Sequence, residues 1–408
     1  MDISVVRATD AERYQGLDEL VWFGEASSVP VEKSLMGVPE DQRFAAEVDG
    51  EYVGIYGVRP MELSVPGGAL LPVAGLTWVG VHPDFRRKGV LTAMLRHHVQ
   101  QTHDEGVAMT ALHASEPVIY GRHGYGQAAV SWWAKLGRGQ ELKAPGLDAE
   151  AGKVRTQLGT ITDPGATDRL RANDLAWARV SPGLMIGDPE FYASFARQIP
   201  EQMRDKEPMR LLWATVDGED VGFAAFRRTQ KWESGRPQGE LEVLGMAGEP
   251  AVRLALLRRL VDFDLTSSIA VHEVGVDDPL WHWIGPRAVE AKVFDNVWLR
   301  FVDLEKALPE REYADDCDLV VDLTDPSAPW QAGRWRLRVS GGSMSVDRTD
   351  GVPDLVWPVQ ELSSIYLGGL NLPARLRAGV VSEERPGAVA ELWHAVRTDT
   401  APVPATGF

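Results

Sequence analysis

The chain has 408 residues, 44% apolar and 25% charged, a composition of soluble globular proteins and a length beyond one ordinary core, so two or three domains are expected. A net charge of −17 and a pI near 5.0 argue against a protein built to grip nucleic acid; they suit either plain solubility or a cleft that concentrates small cations. The single cysteine, Cys317, excludes an intrachain disulfide and a cysteine-based metal site.

The first residues carry Asp2, Arg7, Asp10 and Glu12 where a signal peptide would be apolar, and no stretch approaches the roughly 18 apolar residues of a membrane span. A reducing, cytoplasmic setting is therefore expected. Asp10 to Gly24 reads as a helix with Asp10 or Thr9 as cap and Leu17, Leu20 and Val21 on one face. Arg43 to Val48 and Tyr52 to Val58 read as strands around the turn Asp49-Gly50. Met61 to Val65 and Leu70 to Val73 flank Pro66-Gly67-Gly68. Gly75 to Val81 is a further strand, Val90 to Gln101 an amphipathic helix, Ala108 to His113 a strand, and Glu116 to Gly121 a short helix.

The middle third repeats this order weakly. Leu211 to Val216, Asp217-Gly218 and Val221 to Arg227 form a second hairpin, followed by a strand at Glu240 to Gly245 and a helix at Ala251 to Phe263. The last third alternates at Trp335 to Val339, Ser343 to Val346 and Leu355 to Pro358, with helices at Val359 to Tyr366 and Leu372 to Ala378. The end, Thr398 to Phe408, is proline-rich and extended.

The most informative segment is Leu76 to Leu95, in which an apolar strand runs through Pro-Asp-Phe-Arg-Arg-Lys-Gly onto an amphipathic helix. Such a helix start offers unpaired N–H groups and positive dipole to a pyrophosphate. Gly89 lets the backbone approach closely, and Arg86, Arg87 and Lys88 add charge. Neither a Walker loop nor a Gly-x-Gly-x-x-Gly turn in the right setting is present. Arg86 to Leu91 resembles the Arg/Gln-x-x-Gly-x-Gly/Ala signature of the GNAT acyl-CoA-dependent N-acetyltransferases, departing at Leu91. Tyr120-Gly121-Arg122-His123-Gly124-Tyr125 resembles that superfamily's downstream Tyr-x-x-x-Gly-Phe/Tyr motif. In the second copy the loop Met246 to Ala251 has lost the arginine–glycine chemistry.

Over its whole length the chain resembles the Eis (enhanced intracellular survival) family, carried by Val81 to Met94, His113 to Glu116, Ile119 to Gly126 and Phe408. The resemblance implies a mixed α/β chain of three parts: an acetyl-CoA-binding GNAT domain (1–148), a degenerate GNAT-like domain (149–298) and a sterol-carrier-like domain (299–408) whose tail reaches the active site. It implies acetyl transfer by direct attack in a ternary complex to primary amines of aminoglycosides, polyamines or lysine side chains, at several positions, by a hexamer.

The same resemblance places the coenzyme against Val79, Val81, Arg86, Arg87, Lys88, Gly89, Val90, Leu91 and Ser115. The backbone N–H of Val79, at a splay expected over Val79 to Val81, takes the oxyanion role. Tyr120 is the expected general acid, with Tyr125 as competitor; a phenol near pKa 10 can protonate a thiolate of roughly pKa 8–9. The α-carboxylate of Phe408 is the expected base, although at an ordinary pKa near 3.5 it could serve more to hold the cation. Trp22 and Glu25 stand where the family places substrate contacts, and read equally as a core aromatic and a solvated charge. His97, His98 and His113 form no metal-ligand pattern, so no metal is expected. The rival readings are a lipid or sterol carrier using the apolar stretch Leu355 to Val381, and a regulatory protein with dead GNAT folds.

Overall fold

A computed structural model describes all residues except 23–30, 32–34, 36, 198–202, 204–205 and 286–289. Two mixed sheets, each built on a hairpin, are followed by a smaller four-stranded sheet. The hairpins turn at Asp49-Gly50 and Asp217-Gly218, where all four residues have positive φ, the conformation that matches strand twist in a two-residue turn.

In the first sheet Ser4–Arg7, Arg43–Val48, Glu51–Ser64, Leu70–Val81, Met109–His113, Val297–Phe301 and Gly126–Gln127 lie in that order, with Met185–Gly187 also on Glu51–Ser64. Leu70–Val81 and Met109–His113 are parallel, joined by the crossover helix Val90–Asp104. The strands expected at Tyr52 to Val58 and Met61 to Val65 are one strand of 14 residues. Pro60 does not break it, because Arg43–Val48 stops pairing at Gly57 and Met185–Gly187 starts at Met61, leaving the proline in the gap. Likewise Leu70 to Val73 and Gly75 to Val81 are continuous. The first helix, Ala11–Val21 with Asp10 as cap, ends short of the expected Gly24, with Trp22 as its C-cap.

The second sheet runs Glu290–Asp295, Val130–Gly137, Thr266–Val274, Gly239–Gly248, Glu219–Thr229, Arg210–Val216, Arg155–Thr160. Its parallel pair, Gly239–Gly248 with Thr266–Val274, is again bridged by a helix, Pro250–Leu260. The two halves exchange strands. Val130–Gly137 follows the first module in sequence but pairs within the second sheet, and Val297–Phe301, after the second module, pairs with Met109–His113 in the first. Sheet membership therefore crosses positions 148/149 and 298/299.

The third sheet, Ser343–Arg348, Gly333–Ser340, Cys317–Thr324 and Leu355–Pro358, is covered by helices that include Val359–Ser364 and Ala388–Val396. It is tied to the first module by Arg300, whose fully buried guanidinium donates to Asp325 at 2.8 and 2.9 Å and to the carbonyl of His123 at 2.8 Å. Its apolar cavity, between Leu308, Leu337, Leu362 and Leu392, measures only about 10 Å³.

The tail from Thr398 runs back across all of this without regular structure. The N–H of Val403 donates to Pro182, and Ala405 exchanges two hydrogen bonds with the buried side chain of Asn296, at 2.7 and 3.0 Å. Asn296 sits just before Val297–Phe301, so the tail is pinned where the exchanged strand enters the first sheet.

Candidate active site

The strand Leu70–Val81 is bulged. Gly57 faces Thr77 but Ile55 faces Gly80, and within the bulge Trp78 takes φ +52, a left-handed conformation rare for a large side chain. Tyr14 lies edge-on to Trp78 at 6.3 Å, and the guanidinium of Arg59 lies 5.7 Å over its ring. On the other side the ladder to Met109–His113 ends at the pair Gly75–Ala111. The strand expected to splay at Val79 to Val81 thus parts from Met109–His113 already after Gly75, ahead of the bulge.

That opening is a cleft of about 380 Å³. Val79, Ser115, Tyr120, Trp22 and Phe408 all line it, together with Asp18, Arg59, Thr77 and His113. Val81 and Arg86 to Leu91 are not among the described residues that line it; there Gly89 adopts φ +90 and caps the 15-residue helix Val90–Asp104 without a side-chain cap bond. The helix start is therefore left to its backbone N–H groups, flanked by the exposed Arg86, Arg87 and Lys88. Val90 is buried and Leu91 half-buried, so these two anchor the helix and offer backbone only. This arrangement fits a pyrophosphate. The second module does not: the matching helix Pro250–Leu260 has Glu249 as cap and a proline in its first turn, a negative charge and a missing donor at that place.

Tyr120 closes the short helix Pro117–Tyr120, buried and edge-on to Tyr125 at 5.9 Å. Burial, with Glu116 nearby, pushes its hydroxyl up to about 12. Tyr125 is a fully buried packing residue whose hydroxyl lies 3.2 Å from that of Thr110. Ser115 stands at the exposed rim.

Phe408 is held at both ends. Its main-chain oxygen accepts from the hydroxyl of Thr77 at 3.1 Å, and its ring meets that of His113 edge-on at 5.0 Å. A side chain at Gly75 would come within 3.0 Å of the Phe408 ring and of the Arg59 carbonyl, so the glycine makes room for the tail. Burial lowers His113 to about 4, against a hydrogen bond that it donates to the backbone of Thr406 and the charge of Asp295, so it is neutral at physiological pH.

Trp22 is half exposed on the cleft wall; Glu25 lies outside the described residues. Asp18, one turn from Tyr14 on the inward face of the first helix, has a buried Oδ1 with no hydrogen-bond partner among the described residues. Burial and then Glu19 raise it to about 6. Its signal in the sequence is a carboxylate on the stripe formed by Tyr14, Leu17 and Val21. Arg59, lowered to about 10 by burial and the charge of Arg197, carried no such signal, since it precedes a proline within a strand. The cleft is thus of mixed charge. His97 and His98 are spoken for by Tyr56 and Thr110, each at 2.7 Å.

Family models for an acetyltransferase (GNAT) domain match residues 2–128 and 183–300, and one for a sterol carrier protein domain matches 304–404. An uncharacterised N-acetyltransferase of Streptomyces avermitilis is 34% identical over all of this chain and 99% of its own length. Another, from Streptomyces coelicolor, is 36% identical over 89% of the chain and 88% of its own. N-acetyltransferase Eis of Mycobacterium tuberculosis is 27% identical over 80% of the chain and 78% of its own. The crystal structure of Eis1 from Mycobacterium abscessus matches with a TM-score of 0.82 at 28% identity, covering both chains fully. The chain belongs to the Eis-like family of GNAT N-acetyltransferases. Among the described residues no helix is long and apolar enough to cross a membrane.

Proposed function

We propose that the protein transfers the acetyl group of acetyl-CoA to primary amines of cationic substrates, in a ternary complex and at a site in residues 1–148. The observation that carries this is the convergence of Val79, Tyr120 and Phe408 on one cleft, in a module whose Gly89 helix start is left to its backbone N–H groups. Acetyl-CoA supplies the activated acyl group. Arg86, Arg87, Lys88 and the backbone of Gly89, Val90 and Leu91 hold its pyrophosphate, Val79 and Val81 pair with its pantetheine arm, and Ser115 bonds it at the rim.

The chemistry then falls to three groups. The N–H of Val79 faces the carbonyl oxygen and takes up charge as the amine attacks. The α-carboxylate of Phe408, fixed through Thr77, holds the ammonium and receives its proton. Tyr120, kept protonated by its raised pKa, gives its proton to the departing sulfur. Trp22 lines the cleft on the substrate's side, Glu25 is assigned to substrate contact by the family resemblance alone, and Asp18 gives the ammonium a further partner.

Aminoglycosides, polyamines and lysine side chains fit this chemistry, with more than one amine per molecule acetylated. The central domain (149–298) and the sterol-carrier-like domain (299–408) are structural partners in a cytoplasmic hexamer, with the last domain delivering the tail. The cavity between Leu308, Leu337, Leu362 and Leu392 measures about 10 Å³, smaller than a lipid chain, and gives the carrier reading no support.

The test is thiol release from acetyl-CoA with a panel of an aminoglycoside, a polyamine and a lysine peptide, in wild type, Tyr120→Phe and a chain lacking Phe408. Turnover of at least one amine, largely lost in both variants, supports the proposal. Wild-type protein that neither binds nor consumes acetyl-CoA sinks it.

A further inference from the structure

The central module has lost the coenzyme loop but keeps a cavity where the first module has its cleft. Its strand Gly239–Gly248 is also bulged, between the pairs Ala225–Gly245 and Phe226–Val243, and its ladder to Thr266–Val274 ends at Val243–Val271. Two residues beyond the last pair stands His113 in the first module and Glu273 in the second. Both face the tail: His113 meets the ring of Phe408, and Glu273 accepts from the hydroxyl of Thr406 at 3.2 Å.

The space between these strands and the helices Ala166–Ala178 and Pro189–Phe195 measures about 90 Å³, room for about three waters. Trp177, Phe191, Tyr192, Phe195 and Phe223 supply aromatic walls, and Asp174 and Glu273 supply two carboxyls. No lysine or arginine is among the described residues that line it. Asp174 accepts from Tyr192 at 2.8 Å, and Glu273 sits at φ +55, a strained conformation for a non-glycine residue. Burial raises Asp174 to about 7 and Glu273 to about 8, the latter also through the nearness of Asp174. Two carboxyls in aromatic surroundings are costly without a cation, and aromatic faces attract one. A metal ion would ask for more oxygen ligands than these two side chains supply.

We propose that this cavity is a second, non-catalytic site that binds a small organic cation, a primary ammonium on a short alkyl chain, between Asp174 and Glu273. The ligand is bound there without being acetylated, since Glu249 and the proline after it stand where a coenzyme would need donors. Because Glu273 also holds Thr406, two residues from Phe408, the site touches the same tail that enters the catalytic cleft.

Methionine methyl groups separate the two sites. Met185, Met209 and Met246 line the central cavity, no methionine is among the described residues lining the catalytic cleft, and Met94 is buried in the core of the first module. The full chain with labelled methionine methyls is titrated with butylammonium chloride at pH 8, against sodium chloride of equal ionic strength. The proposal expects saturable shifts of the three cavity methyls with Met94 unmoved, and at least tenfold weaker binding in Glu273→Gln or Asp174→Asn. An unchanged Met94 signal shows that each variant is folded. Absence of saturable shifts, equal shifts with sodium chloride, or less than tenfold weakening in both variants overturns it.

Discussion

Replacing Asp18 by asparagine should make the protein more stable and a poorer catalyst, and the first effect should depend on pH. Burial and the neighbouring Glu19 carry the carboxyl from 3.8 to about 6. A shift of about two units corresponds to about 3 kcal/mol as an upper bound. Cleft water screens part of it, leaving about 1–2 kcal/mol. The folded-state pKa is the higher one, so the folded protein binds more protons than the unfolded chain between these two values. Stability is fully present below the unfolded value, falls as pH rises through 6, and the full cost stands at pH 8. Asparagine keeps the shape and removes the charge. The variant should unfold about 1–2 °C higher at pH 8, and the gain should fall to about half at pH 5. KM for the amine should meanwhile rise about tenfold, the equivalent of about 1.4 kcal/mol of lost binding. Scanning fluorimetry across pH and steady-state kinetics read both. A variant less stable at pH 8, or a gain equal at pH 5 and pH 8, would mean that the carboxyl is already compensated in the folded protein, and the reasoning fails.

Tyr120→Phe should lower kcat by roughly 10²–10³ with KM nearly unchanged, measured by thiol release, because the ring still packs on Tyr125 while the proton is gone. Gly89→Ala should weaken acetyl-CoA binding about 5–10-fold by calorimetry. The nearest neighbour of an added Cβ is 3.9 Å away, so the cost comes from φ +90 and not from a clash. Asp325→Asn should destabilise the protein by about 3–5 kcal/mol in denaturant unfolding, since it leaves the buried charge of Arg300 without its partner. Asp325→Asn together with Arg300→Met should recover much of that loss.

Local chemistry was legible in the sequence wherever a short segment carried it. The two Asp-Gly turns and the helix after Gly89 follow from neighbours a few residues apart, and three of the third sheet's four strands follow from their alternation, Cys317–Thr324 being missed. The bulge at Trp78 was not legible, because nothing in Leu-Thr-Trp-Val marks a residue for positive φ; the pairing partners of Glu51–Ser64 impose it. Arg59, Thr77 and His113 enter the cleft only through that bulge and the tail. Glu273 and Asp174 lie about 100 residues apart and meet only once both sheets are built. Val130–Gly137 and Val297–Phe301 are not among the strands expected from the sequence, and no local feature tells a strand which of two similar sheets to join.

That exchange sets the order in which the molecule can be made. Met109–His113 has its outer neighbour in Val297–Phe301, synthesised roughly 180 residues later. At about 5–20 residues per second, the edge of the first sheet stays open for about 10–40 s on the ribosome. The borrowed strand Val130–Gly137 waits likewise for its two partners, Thr266–Val274 and Glu290–Asp295. The two sheets are thus closed one after the other by adjacent strands, Glu290–Asp295 and Val297–Phe301, and neither module can be finished long before its neighbour.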